Sequence, residues 1–356
     1  MKTKTPSLGD IAKQVQVSKM TVSLALRDSH EVSAEMRDKI HAVAREMGYS
    51  RSPQMSHLMA EVARVRNGIL RETLAFVTTE PTENGWKKYD SEKFSVMKAY
   101  AEEKGYNLEP WWLSNPALTP ERVNEILWSR GITGIVIPNI SRKFFEKHNG
   151  ALPIEWDKFC VVEMGGGLRY PNVHQVLHDH YHGMFLTLDE LEALGYQRIG
   201  FCVRSEDDLR THHRWTAAYH VWLQLRKLKV EPLIASKLEA TQVKAWIARN
   251  RLDAVISPGK PDIKKWGITT PKKIGFASLH LWGRKTKSVT GIDQEMDEAS
   301  FAAIDLLTSQ LSRKQKGLPP HPMHWLIPGH WVKGKTAVQV RKIPRPVGIE
   351  NELLGV

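Results

Sequence analysis

Over the first fifty residues the apolar positions come in three short bursts at helical spacing, each preceded by a serine. Ser7-Leu8-Gly9-Asp10 has the form of a capping box, and Ile11, Ala12 and Val15 follow on one face. After a break at Gln16-Val17, Ser18 caps a stretch from Lys19 to Leu26 in which Val22, Ala25 and Leu26 share a face. Ser33 opens a third stretch, Ala34 to Met47, carrying Met36, Ile40, Val43, Ala44 and Met47 in phase, with Gly48 as its stop. Three short helices, the first two joined by a very tight turn, form the pattern of a helix-turn-helix, which a plain three-helix bundle shares.

From Thr73 onward the period changes. Apolar runs at 73–78, 107–113, 135–138, 159–163, 198–203, 254–257 and 274–277 read as strands. Amphipathic stretches at 92–104, 119–130, 183–194 and 211–227 read as helices. Strand–helix alternation with fully apolar strands predicts parallel sheets covered on both faces. The rhythm runs twice. The expected fold class is an N-terminal all-α helix-turn-helix head followed by an α/β body of two parallel-sheet lobes. Between head and body, Ser52-Pro53 can start a helix, but only about two turns fit before Glu61, too few to persist alone in water. A plain linker helix is the other reading of that segment. The divisions are thus 1–49 for the head, 50–70 for hinge and linker, 71–343 for the body and 344–356 for a tail.

Composition narrows the picture. Lys and Arg total 51 against 39 Asp and Glu, a net charge of +12 that suits a polyanionic partner. Cys160 and Cys202 sit in apolar runs and read as core filler, not a disulfide. The N-terminus lacks the apolar stretch of a signal peptide, and no long apolar window suggests a membrane span, so a cytoplasmic protein is expected. No phosphate-cradling glycine loop, nucleophile elbow or zinc-protease helix is present, and Gly165-Gly166-Gly167 is a lone run in a loop; an enzyme is not expected. His174, His178, His180 and His182 alternate along one segment and are the best metal candidates, but no metal or other cofactor is expected.

The string Asp10-Ile11-Ala12, then Val17-Ser18, then Thr21-Val22-Ser23 closely resembles the DNA-binding head of the lactose repressor (LacI/GalR) family, and the likeness continues from Val32 to Tyr49. The stretch Leu191 to Phe201 resembles the same family. The resemblance implies a transcription regulator, a repressor of carbohydrate-metabolism genes, acting as a homodimer on double-stranded operator DNA. Lys19 and Met20 would open the recognition helix, Lys19 reaching guanine and Met20 a thymine methyl. Ser18, Thr21, Ser23 and Ser33 would contact phosphates, and Ser7 belongs with them at the start of the first helix. Leu58 falls where the family's leucine wedges into the minor groove. Leu24 stands where the family often has Arg, which removes one DNA contact.

For the body, the resemblance implies a periplasmic-binding-protein-like core whose small effector, a carbohydrate or its phosphate, lies between lobes of about 71–177 with 292–326 and 178–291 with 327–343. Strand ends and family matches single out Trp86, Asn139, Asp179, Arg214, Trp215 and Gln294. Trp86, Trp215 and Trp282 are candidate stacking aromatics, with core packing as the alternative for each. The family's Asp-Asn/His-x-x-Gly pattern explains Asp179 to Gly183 without a metal. Where the family carries a sugar-clamping aspartate, this chain has Ala277, so the pocket is altered.

Overall fold

The computed structural model of the chain describes residues 6–26, 32–47, 49, 72–80, 82–148, 152–168, 170–258, 263–281 and 288–340. They belong to two compact units, residues 1–70 and 71–356. The hinge residues Ser52, Pro53 and Leu58, the indole of Trp282 and the C-terminal tail lie outside the described residues.

In the first unit, α1 (Leu8–Val15), α2 (Lys19–Ala25) and α3 (Ala34–Glu46) surround a small core of Ile11, Ala12, Val15, Val22, Ala25, Val32, Ile40 and Ala44. The Asp10 carboxylate accepts from the Ser7 amide at 2.8 Å and the Ser7 hydroxyl at 2.6 Å, which fixes the entry into α1. Gln16 adopts a left-handed conformation, φ 60°, and ends α1 so sharply that Ser18 already caps α2, accepting from the Thr21 amide at 3.0 Å. Ser33 caps α3 through the Met36 amide.

The second unit holds two six-stranded sheets. The N-terminal lobe orders its strands β11-β5-β4-β3-β1-β2, where β1 is Glu72–Thr78, β2 Tyr106–Trp112, β3 Gly134–Ile137, β4 Cys160–Met164, β5 His174–His178 and β11 His324–Ile327. All of its strand pairs are parallel. The C-terminal lobe orders β12-β10-β9-β8-β6-β7, with β6 Ile199–Arg204, β7 Leu233–Ala235, β8 Ala254–Ser257, β9 Gly275–Leu281, β10 Gly291–Asp293 and β12 His330–Val332. Here the edge strand β12 runs antiparallel to β10. The chain therefore changes lobe after β5, after β10 and after β11.

Helices cover both faces, which is why central strands such as β3 and β4 are buried end to end. In the N-terminal lobe these are α4 (Glu83–Tyr89), α5 (Ser91–Glu103), α6 (Pro120–Ser129), α7 (Arg142–Lys147) and, arriving from β10, α13 (Met296–Ser312). The C-terminal lobe has α8 (His180–Ala193), α9 (Ser205–Arg210), α10 (Arg214–Leu225), α11 (Ala240–Asn250) and a single turn, α12 (Ile263–Trp266). The largest core joins Phe201, Trp215, Tyr219, Trp222, Trp246 and Phe276 beneath β6, β8 and β9. The helix expected over 211–227 is shorter: His212 and His213 both take left-handed backbone, φ 53° and 59°, and separate α9 from α10. No helix among the described residues is long and apolar enough to cross a membrane.

Candidate nucleic-acid interface and ligand cleft

The start of α2 is the exposed end of the head. Met20 is 70% exposed although it is apolar, and Lys19 beside it is exposed as well. An unpacked methionine next to a lysine on a helix N-terminus matches the needs of base-edge contact: an apolar surface and a donor, both projecting from a rigid element. Ser18, Thr21 and Ser33 stand at the helix starts; the Ser18 and Ser33 oxygens accept from the Thr21 and Met36 amides, and the Ser18 and Thr21 hydroxyls share a hydrogen bond at 2.9 Å. Ser23 is half-buried on α2.

In the body, the carboxyl ends of the parallel strands converge where the chain changes lobe. On the N-terminal wall, Thr78 at the end of β1 donates to Asp90 at 2.6 Å, and Lys93 lies 3.7 Å from the same carboxylate and 3.4 Å from the Pro138 carbonyl. Burial pushes Asp90 up and Lys93 down, each opposed by the other's charge. Glu80 is raised by burial and then by Asp90, while Lys93 and a hydrogen bond from Asn139 act against this. Asn139 itself accepts, through its backbone carbonyl, from Thr79 at 3.2 Å. Trp86 is half-buried against Phe76 and Phe94, with ring centres 5.4 and 5.6 Å away.

On the C-terminal wall, Asp179 caps α8 by accepting from the His182 amide at 3.0 Å. Gln294, four per cent exposed, donates to the Leu279 carbonyl at 2.8 Å and meets His280 Nδ1 at 2.7 Å. Burial holds His280 near pKa 4, and the charges of Arg210 and Lys93 push the same way. Because Lys93 belongs to the opposite lobe, this field links the two walls. Arg214 opens α10 half-buried, and Trp215 is fully buried with its ring edge-on to His180, 4.6 Å between centres. Trp215 thus stands within the core and presents no open stacking face. Behind β4, Glu163 holds the glycine loop by accepting from the Gly166 and Gly167 amides and from Gln175, and a Cβ on Gly166 would lie 3.7 Å from the Arg210 carbonyl of the opposite lobe.

The family model for bacterial regulatory proteins of the lacI family matches residues 7–52. The head thus matches the lacI family. Its sequence is 47% identical over 57 residues to the HTH-type transcriptional regulator GntR of Escherichia coli K12, a match that spans 15% of this chain and 17% of that protein's length. The whole chain is similar in structure to the lac repressor dimer bound to operator and the anti-inducer ONPF: 17% identity, 94% of this chain and all of that one, TM-score 0.53. A periplasmic binding protein/LacI transcriptional regulator from Alkaliphilus metalliredigens complexed with D-xylulofuranose aligns with 75% of this chain and 99% of its own, at 15% identity and TM-score 0.52. At such identities these likenesses establish the fold: a lacI-type head and a periplasmic-binding-protein-like body.

With the lacI-type head and this body in place, two sets of cleft residues stand out that sequence patterns did not reveal. The Glu80-Asp90-Lys93 group escaped notice because charged residues in a helical stretch read as a solvated face. His280 lies three residues past Ala277 on β9, which runs to Leu281. The histidine run divides: His174 and His178 are on β5, His180 and His182 on α8, and among the described residues no cluster of three or more ligating side chains has metal-site geometry.

Proposed function

We propose that this protein is a sequence-specific DNA-binding transcriptional regulator, a cytoplasmic repressor without enzymatic activity, that responds to a small carbohydrate-like effector held between its lobes. The observation that carries this reading is the lacI-family head over 7–52, with Lys19 and Met20 exposed at the start of its second helix. One such head buries little DNA, so useful affinity calls for a homodimer on a near-palindromic site. The structural relatives include one bound to operator and one holding a sugar, which supports both halves of the proposal. Trp86, Asn139, Asp179, Arg214, Trp215 and Gln294 are the proposed effector contacts, Trp215 through its indole nitrogen rather than a ring face. Ser7, Ser18, Lys19, Met20, Thr21, Ser23, Ser33 and Leu58 are the proposed DNA contacts.

Selection of protein-bound DNA from a random pool, followed by sequencing, tests the proposal directly. A two-fold symmetric motif with fixed half-site spacing is expected. Failure to enrich any sequence, with the protein folded, would refute it.

A further inference from the structure

Three side chains at the meeting point of the lobes carry sealed polar atoms left without a hydrogen-bond partner among the described residues: His178, whose ring N–H is turned to the Ile327 backbone and whose other nitrogen is unused, His180 at Nδ1 and Trp215 at its indole nitrogen. Their rings form one continuous row. His178 and His180 are 5.0 Å apart, and His180 and Trp215 4.6 Å, each contact edge to face. All three residues are more than nine-tenths buried. The rest of the lobe shows how unusual this is. Trp222, Trp246 and Trp266 are also buried, and each donates its indole N–H, to Asp189 at 3.0 Å, the Glu231 carbonyl at 2.9 Å and the Leu238 carbonyl at 3.0 Å. Buried donors and acceptors are nearly always satisfied, so a contiguous unsatisfied row calls for an explanation.

Position supplies one. His178 ends β5 where the chain first changes lobe. Its ring presses on Gly183 and Gly329, where added Cβ atoms would come within 2.9 Å of Nε2 and 2.8 Å of Cε1. His180 begins α8, Trp215 lies in the first turn of α10, and the His280–Gln294 contact is the next polar group along this wall. Ligands of doubly wound folds bind at this edge of the sheet.

The atoms also define the ligand's chemistry. Burial keeps His178 and His180 uncharged, and nearby positive groups, Arg210 and Arg214 among them for His180, oppose their protonation. A neutral imidazole has one N–H and one lone pair. The row therefore offers an unused donor, the Trp215 indole N–H, together with an unused acceptor, the second ring nitrogen of His178. A carboxylate or phosphate only accepts and an ammonium only donates, so either leaves part of the row unpaired. A hydroxyl does both.

We propose that His178, His180 and Trp215 are the floor of the ligand cleft and bind an uncharged, hydroxyl-bearing group of the effector, which accepts from the Trp215 indole and donates to the imidazole row. The group that meets this row is thus a sugar hydroxyl and not the carboxylate or phosphate of an acidic sugar. This rests on the reading of the body as a carbohydrate sensor.

The test uses full-length protein and titration calorimetry at pH 7.5 with two probe sets: neutral sugars (glucose, galactose, xylose, cellobiose) and acidic ones (glucuronate, galacturonate, glucose 6-phosphate). Binding of a neutral sugar is expected, weakened about tenfold or more by Trp215→Phe, which keeps the aromatic ring, and by His180→Leu. In wild-type protein labelled with 15N-tryptophan, one indole N–H resonance, assigned by its loss in Trp215→Phe, should move on saturation, a readout that does not depend on the variants' stability. Unchanged affinity in both folded variants, or an unmoved Trp215 resonance, with whichever sugar binds would overturn the floor assignment while leaving a sugar sensor standing. Binding of no probe in either set would overturn the sensor reading and this inference with it.

Discussion

Glu163 is fully buried at the end of β4 and accepts three hydrogen bonds, from the Gly166 amide at 3.2 Å, the Gly167 amide at 3.0 Å and Gln175 at 2.8 Å. Those donors favour the carboxylate, but loss of hydration weighs more and pushes the group up to about 8 from an ordinary 4.5. The folded protein thus prefers the protonated acid. Its contribution to stability is complete below pH 4.5, declines as pH rises towards 8 and is absent above. At about 1.4 kcal/mol per pH unit, the full span is worth ~5 kcal/mol, and ~4 kcal/mol of it falls between pH 5 and 8. Glu163→Gln removes the ionisation, though its NH2 turns towards an N–H donor. Relative to wild type, its stability should therefore rise by ~4 kcal/mol between pH 5 and pH 8, whatever the difference at pH 5. Denaturant unfolding followed by tryptophan fluorescence reads this out cleanly, because all 12 tryptophans lie beyond residue 85 and report the body alone. A difference that is the same at pH 5 and pH 8 would show that the three donors outweigh burial and keep Glu163 ionised.

Lys19→Ala should relax base preference at one position of each half-site, costing about 1–3 kcal/mol, measured by competition between operator variants; an equal loss on every sequence would make Lys19 a phosphate contact. Gln294→Ala should abolish the DNA-binding response to effector in gel-shift titrations while leaving operator affinity without effector unchanged. At Gly329, a Cβ would stand 2.4 Å from the Asp293 carbonyl oxygen and 2.6 Å from Ile292, so Gly329→Ala should lower body stability by about 1–3 kcal/mol or more, read from the denaturation midpoint. For the hinge, Leu58→Ala should reduce both DNA bending and operator affinity and spare non-specific binding; equal bend angles in circular-permutation gel shifts would leave the segment as a tether.

The sequence alone was enough for the head and for the layered plan of the body, because their determinants are local. Serines at the N-caps, apolar spacing and a tight break at Gln16 each act within a few residues, and the structure shows α1, α2 and α3 close to where those signals point. The same holds for β1, β3, β4, β6 and β8, whose apolar runs admit no other use. Where local signals conflicted with tertiary demands, the reading was less complete. The stretches Glu83–Tyr89 and Ala240–Asn250, for which the sequence pattern marked no element, are both helical; and β12 pairs antiparallel in a lobe expected to be parallel. The left-handed pair His212-His213 divides an apparently continuous helix, since α10 must turn to bring Trp215 beneath His180. The cleft was legible only at its edges. Asn139, Asp179 and Gln294 follow from strand ends and family resemblance, but the buried Asp90–Lys93 contact, the His280–Gln294 contact and the unsatisfied row of His178, His180 and Trp215 do not. Those arrangements join residues brought together by three chain crossings between lobes. A side chain's charge and its hydrogen-bonding need depend on what surrounds it in space, and the strand order that sets those surroundings is a property of the folded sheet rather than of any local run of residues.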